Sequence, residues 1–120
     1  MKGLPVYFIG LVALIHIYIL WLEMFVWTSV ARKRFRSLPA ELFEKTKKMA
    51  ANQGLYNGFL AAGLVWSLRI KDEDWSEQVA IFFLTCVAIA GLYGCLTVQR
   101  SLFFVQTVPA VLALLVLFLN

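Results

Sequence analysis

The sequence predicts an all-α fold: a four-helix transmembrane bundle, one integral membrane domain over residues 1–120, with the N-terminus and C-terminus outside. Three observations predict it. Hydrophobic residues make up 62% of the 120-residue chain and charged residues 15%, whereas a soluble domain is roughly half apolar and a quarter charged. The mean hydropathy is +0.80, and a water-soluble domain this small could not hide so much apolar surface. Finally, apolar runs at about 4–27, 50–68, 78–98 and 102–119 each come close to the roughly 20 residues that cross a bilayer as helix.

The first run, Leu4 to Trp27, carries His16 and Glu23 inside apolar sequence. Pro5 sits in its first turn, where a missing N–H costs nothing. Tyr7 marks one interface and Trp21 and Trp27 the other. The run is longer than the roughly 7–15 residues of a signal-peptide core and has only Lys2 before it, so it is expected to stay as a membrane helix.

A basic loop follows, residues 31–49, with seven of the eleven basic residues against Glu41 and Glu44. Ser37-Leu38-Pro39-Ala40-Glu41 reads as a helix start, with a capping hydroxyl, an early proline and an acid in the first turn. Leu42, Phe43 and Met49 are expected on a membrane surface. In the second run, Gly54, Gly58 and Ala62 repeat every four residues, a stripe that admits close helix approach. Asn52, Gln53 and Asn57 lie near its start, and Trp66 anchors its end.

The link at 69–77 is acidic and short, so the second and third runs form an antiparallel hairpin. The third run has its own small-residue stripe at Cys86, Ala90 and Gly94, expected to pack on the glycines of the second. Gln99-Arg100-Ser101 is a turn. The fourth run carries Gln106 and Thr107 and then Pro109, which frees a carbonyl one turn earlier for another partner. The basic loop should be cytoplasmic and the acidic link outside, with Arg100 again on the cytoplasmic side.

At 1.5 Å per residue, this orientation brings uncharged polar groups of every helix to the level of Glu23. They are Asn52, Gln53, Tyr56 and Asn57 of the second helix, Tyr93 and Thr97 of the third, and Gln106 and Thr107 of the fourth. Two readings stay open. The layer is interhelical glue, or it lines a polar pocket in the cytoplasmic half, with Glu23 its full charge, His16 its floor and Arg100 a lid or counter-ion. His16 favours the pocket, because it is too deep to snorkel and packing has no need of an imidazole.

Other chemistries are excluded. The net charge of +4 comes from the basic loop, and no groove-reading module accompanies it, so nucleic acid is not a partner. One histidine with two distant cysteines makes no metal site, and no cofactor is implied. Cys86 and Cys95 are nine residues apart on one helix, beyond the ~7 Å that a disulfide allows. No carboxylate stands near Glu23 for an acid–base dyad, which leaves Glu23 as proton acceptor or cation partner and His16 as proton carrier or donor.

The runs His16-Ile17-Tyr18-Ile19-Leu20-Trp21-Leu22-Glu23 and Asn52-Gln53-Gly54-Leu55-Tyr56-Asn57-Gly58, with Gly91-Leu92-Tyr93-Gly94 and Val105-Gln106-Thr107-Val108-Pro109, resemble the domain-of-unknown-function family 1304. The likeness covers nearly the whole chain. It implies a small bacterial plasma (inner) membrane protein with four helices, multi-pass, and assigns no activity. The basic loop and the polar start of helix two are also similar to the membrane-associated eicosanoid and glutathione metabolism proteins. In place of that group's arginine- and glutamate-rich helix two this chain has Asn52, Gln53 and Asn57, so only the side and depth of a pocket carry over.

The leading expectation is binding of a small amphipathic or lipidic ligand by His16, Glu23, Asn52, Gln53, Tyr56, Asn57, Tyr93 and Gln106, in contact with membrane lipids and with association into a homo-oligomer. A glutathione-transferase-like membrane enzyme, a proton-coupled exporter and a purely structural membrane protein are the alternatives.

Overall fold

A computed structural model describes all residues, 1–120. The chain is all α, in the order α1 (Leu4–Met24), a π-helical turn Trp27–Ala31, α2 (Arg32–Arg34), α3 (Ala40–Lys45), α4 (Lys47–Arg69), α5 (Glu73–Thr97), a second π-helical turn Phe103–Thr107, and α6 (Val108–Leu119). Four long pieces, α1, α4, α5 and α6 with its π turn, pack in a closed ring in which each touches the next and α6 returns to α1. The bundle is elongated, 48 × 23 × 17 Å.

The helix ends follow from local chemistry. Gly3 adopts φ +76°, a left-handed turn that feeds Pro5 into the first turn of α1. Asp72 caps α5 by accepting the Trp75 N–H at 2.8 Å, with Glu73 and Asp74 in the first turn against the positive helix end. The helix therefore starts five residues before the expected Gln78, and the cap is the reason. Pro109 cannot donate to the carbonyl one turn back. The preceding turn widens, and the Val108 N–H bonds the Phe103 carbonyl.

The expectation of four membrane spans is met only in part. α1 and α5 are long and apolar enough to cross a membrane. The stretch Phe103–Leu119 is apolar but falls in the 10–17-residue class, and α4 is diluted by Lys47, Lys48, Asn52, Gln53, Asn57 and Arg69.

The main core lies towards the end where α1 begins. Ile9, Val12 and Ala13 of α1 meet Leu64 of α4, Leu84 and Val87 of α5, and Ala110 and Ala113 of α6. Glycines set the close approaches, with a different pairing from the expected one. Gly54 and Gly58 face α1, where an added Cβ would lie 2.6 Å from Met24 Cγ and from Leu20 Cδ1 respectively. Gly63 faces Phe83 of α5, while Gly91 and Gly94 face Thr107 and Leu102. The stripe at Cys86, Ala90 and Gly94 does not pack on Gly54 and Gly58, because α1 already occupies that face.

The basic loop also departs from expectation. Phe43 is buried with Leu22 and Ala31 in a second, smaller core, and Trp27 packs against it with the rings tilted by 41° and their centres 4.8 Å apart. The Trp27 indole donates to Thr46 Oγ1 at 3.1 Å. Ser37 caps nothing; its hydroxyl donates to Gln99 Oε1 at 2.6 Å, tying the loop to the turn before α6. Hiding Phe43 inside the fold removes more apolar area from water than laying it on a surface would, and truncating such a residue to Ala costs about 3–5 kcal/mol.

Large apolar side chains are exposed on the outer face of every long helix, among them Leu11 and Leu14 of α1, Phe59 of α4, Phe82 and Ile89 of α5, and Leu115 and Phe118 of α6.

Glycine substitution tests this packing. Gly91→Ala would drive a methyl group into Thr107 backbone and side chain and is expected to cost about 1–3 kcal/mol as overpacking, read as a lowered Tm in detergent. Gly10 has nothing within 4 Å of an added Cβ, so Gly10→Ala is expected to leave Tm unchanged or raise it slightly. Equal losses in both would overturn the assignment of Gly91 as the close contact.

Candidate functional site

The residues expected to line the polar pocket fall into two groups. His16, Asn57, Gln106 and Thr107 are buried, and Glu23 is half-buried. Asn52, Gln53, Tyr56 and Tyr93 are exposed on the outer faces of α4 and α5. Residues one apart on a helix point about 100° apart, so Asn57 turns inward while its neighbour Tyr56 turns out.

The centre of the site is one hydrogen bond between α1 and α4. Asn57 Nδ2 donates to Glu23 Oε1 at 2.6 Å and also to the Gln53 carbonyl at 3.3 Å. Gly54, one turn from Asn57, makes room for it: its Cα side lies against Glu23 Cβ and the Leu20 carbonyl. The carboxylate therefore has an amide partner. The expected counter-ion is absent, since Arg100 is exposed in the turn before α6 and the sole ion pair of the chain joins the N-terminal amine to Glu73 at 3.9 Å.

His16 lies two turns from Glu23 towards the apolar core, about 10 Å along the axis. It is fully buried. Its Nδ1 sits 2.8 Å from the Val12 carbonyl and must donate there, because a carbonyl only accepts. Its Nε2 has no partner.

Gln106 and Thr107 lie in the second π turn. Thr107 Oγ1 donates to the Ala88 carbonyl at 2.9 Å, and Gly91 lets this turn approach α5 closely enough to do so. The wider π turn thus brings Gln106 to the inside of the bundle. No cluster of His, Cys, Asp and Glu could hold a metal ion, and both cysteines are free.

A feature missed in the sequence is a groove of about 500 Å³ between α1 and α4, on the other side of Leu20 and Gly58 from the polar pair and reaching Arg69. Its signal was present: Gly58, Ala62, Trp66 and Arg69 recur every three or four residues along one face of α4.

Asn57→Ala removes the donor and leaves a half-buried carboxylate unpaired, a loss expected at about 1–3 kcal/mol. Glu23→Gln keeps an amide oxygen for Asn57 to donate to and is expected to hold Tm within a few degrees. A Glu23→Gln loss as large as that of Asn57→Ala would show that the charge, rather than the hydrogen bond, stabilises the bundle.

The comparisons with known proteins agree with one another. The family model described as "Protein of unknown function (DUF1304)" matches residues 10–118. The chain is also similar to the uncharacterized protein YpaA of Lactococcus lactis subsp. lactis (strain IL1403), 30% identical over 107 residues that cover 88% of each chain. No solved structure gives a significant match. Both matches run through the helices that carry Glu23, Asn57 and Gln106, and on them this chain belongs to the DUF1304 family, proteins of unknown function.

Proposed function

We propose that the chain is a multi-pass protein of the bacterial plasma (inner) membrane, crossing it four times with its basic end in the cytoplasm and both termini outside. On this reading it binds a small amphipathic ligand whose hydrogen-bond-donating polar group engages Glu23 beside Asn57, with Gln106 and His16 completing the polar interior. The observation that carries the reading is the half-buried Glu23 carboxylate. It is held in place by an amide and neutralised by no cation, so charge at this level is left for something else to satisfy.

Two further observations support the membrane setting. Apolar side chains cover the outer faces of all four long helices, whereas soluble monomers rarely expose contiguous apolar patches above a few hundred Å². Charge is uneven between the ends: Arg32, Lys33, Arg34, Arg36, Lys45, Lys47, Lys48 and Arg100 lie at one end against Glu41 and Glu44, and Asp72, Glu73, Asp74 and Glu77 at the other against Lys2, Arg69 and Lys71. Such an excess of cations marks the cytoplasmic side.

Two measurements test this. Purified in detergent, the Glu23→Gln protein is expected to keep its Tm but lose the lipid or small molecule that co-purifies with the native chain. If neither form carries such a molecule, the pair serves only to hold α1 to α4. For orientation, a single cysteine at position 36 (Arg36→Cys, with Cys86→Ala and Cys95→Ala) should react with an impermeant maleimide only after the cells are opened. Labelling in intact cells would reverse the assigned sides.

A further inference from the structure

The groove between α1 and α4 has a length, a chemistry and an end. It is lined by Ile17 and Leu20 of α1 and by Ala61, Ala62, Val65 and Trp66 of α4, all apolar, and its one charged lining residue is Arg69. From Gly58 to Arg69 the rise is about 16 Å, close to half of the ~30 Å hydrocarbon thickness of a bilayer. Leu20 lies directly over Gly58 and closes the groove near the middle of α4, so the groove does not run through to Glu23. Arg69 is exposed and forms no ion pair, although Asp72, Glu73, Asp74 and Glu77 follow in the next link and turn of α5.

From this juxtaposition we infer that the groove is a site for one acyl chain of an anionic phospholipid of the outer leaflet, with Arg69 holding the headgroup phosphate. The inference rests on the membrane reading proposed above, but on none of the residues assigned there to the small ligand. Charge complementarity selects the occupant. A second copy of this chain packed into the groove would leave Arg69 facing apolar helix surface, where an unpaired cation is costly, whereas a lipid tail ends at an anionic group where the groove ends. The half-bilayer length agrees, because a chain from one leaflet reaches the midplane and no farther. Trp66 beside Arg69 suits the headgroup level, where amphipathic rings collect.

The experiment uses the full chain reconstituted into vesicles of equal phosphatidylglycerol and phosphatidylcholine, extracted in mild detergent and weighed intact by native mass spectrometry. Native protein is expected to retain one phospholipid per chain, with phosphatidylglycerol favoured about fivefold, the factor for one cation near an anionic headgroup. Arg69→Gln should reduce that preference to about one while still retaining lipid. Ala62→Phe, a change at an exposed position that fills the groove, should abolish retention of both lipids at an unchanged Tm. Equal retention of the two lipids by native protein would overturn the inference. So would a preference that survives Arg69→Gln, or a change of oligomeric mass in place of lipid loss in Ala62→Phe. A chain that floats free of the vesicles on a density gradient would instead overturn the membrane reading, and the groove site with it.

Discussion

The closeness of α1 to α4 is the constraint on which the rest of the bundle depends. Gly54 and Gly58 carry no Cβ where Met24 and Leu20 already stand, and at that separation the Asn57 amide reaches Glu23 at 2.6 Å. A hydrogen bond to a charged group is worth about 1.5–3 kcal/mol net, and leaving the carboxylate unpaired in a water-poor interior costs at least as much. The pair therefore fixes register as well as contact. A slip of one residue would rotate Asn57 by about 100° and strand both groups. With this register set, Leu20 covers Gly58, His16 falls a further turn inside, and α5 and α6 close the ring over the remaining faces.

The two halves of the molecule are held by different forces. Towards the acidic end the core is apolar and mixes large aliphatics with alanines, as interdigitating helices require. Towards the basic end a polar layer of Glu23, Asn57, Gln106 and Thr107, with individual hydrogen bonds between helices, is followed by the small apolar core around Phe43. Both π-helical turns lie in this half. A π turn carries an extra residue per bonded loop and re-aims the side chains it contains. At Phe103–Thr107 the consequence is specific: the turn before Pro109 widens, Gly91 receives it, and Gln106 faces inward. His16 stands at the junction, with one nitrogen tied to its own helix and the other without a partner.

Depth along the helices could be read from the sequence, because it needs only a fixed rise per residue. That count brought Glu23, Asn57, Gln106 and Thr107 to one level, and all four are at least half-buried in the structure. Direction around each axis could not be read, because it depends on which neighbour claims which face. Asn52, Gln53, Tyr56 and Tyr93 share the level but point outward for this reason, and the α4 glycines receive α1 when α5 was expected. The helix starts show a different limit. Asp72 caps a helix that the apolar run alone starts at Gln78, whereas Ser37 has the pattern of a cap and instead bonds Gln99, sixty-two residues away, a pairing that no local pattern contains. Phe43 reads from the sequence as a surface residue, whereas its burial depends on Leu22 and Ala31, which only the folded loop brings within reach.

The folded loop also determines how Glu23 can be approached. The small core of Leu22, Ala31 and Phe43 begins one residue from Glu23 and lies between the polar layer and the basic end. Two side-chain hydrogen bonds support it, Trp27 to Thr46 and Ser37 to Gln99, each worth about 0.5–1.5 kcal/mol. Burial of Phe43 supplies more than both together, so the apolar contact, rather than the polar ties, keeps this plug in place. On the opposite side His16 and the main core seal the bundle. Glu23 nevertheless keeps a minor part of its surface exposed, and with both ends closed that open side lies between helices rather than along the axis. A polar group that reaches the carboxylate therefore comes from the side of the bundle rather than from its end.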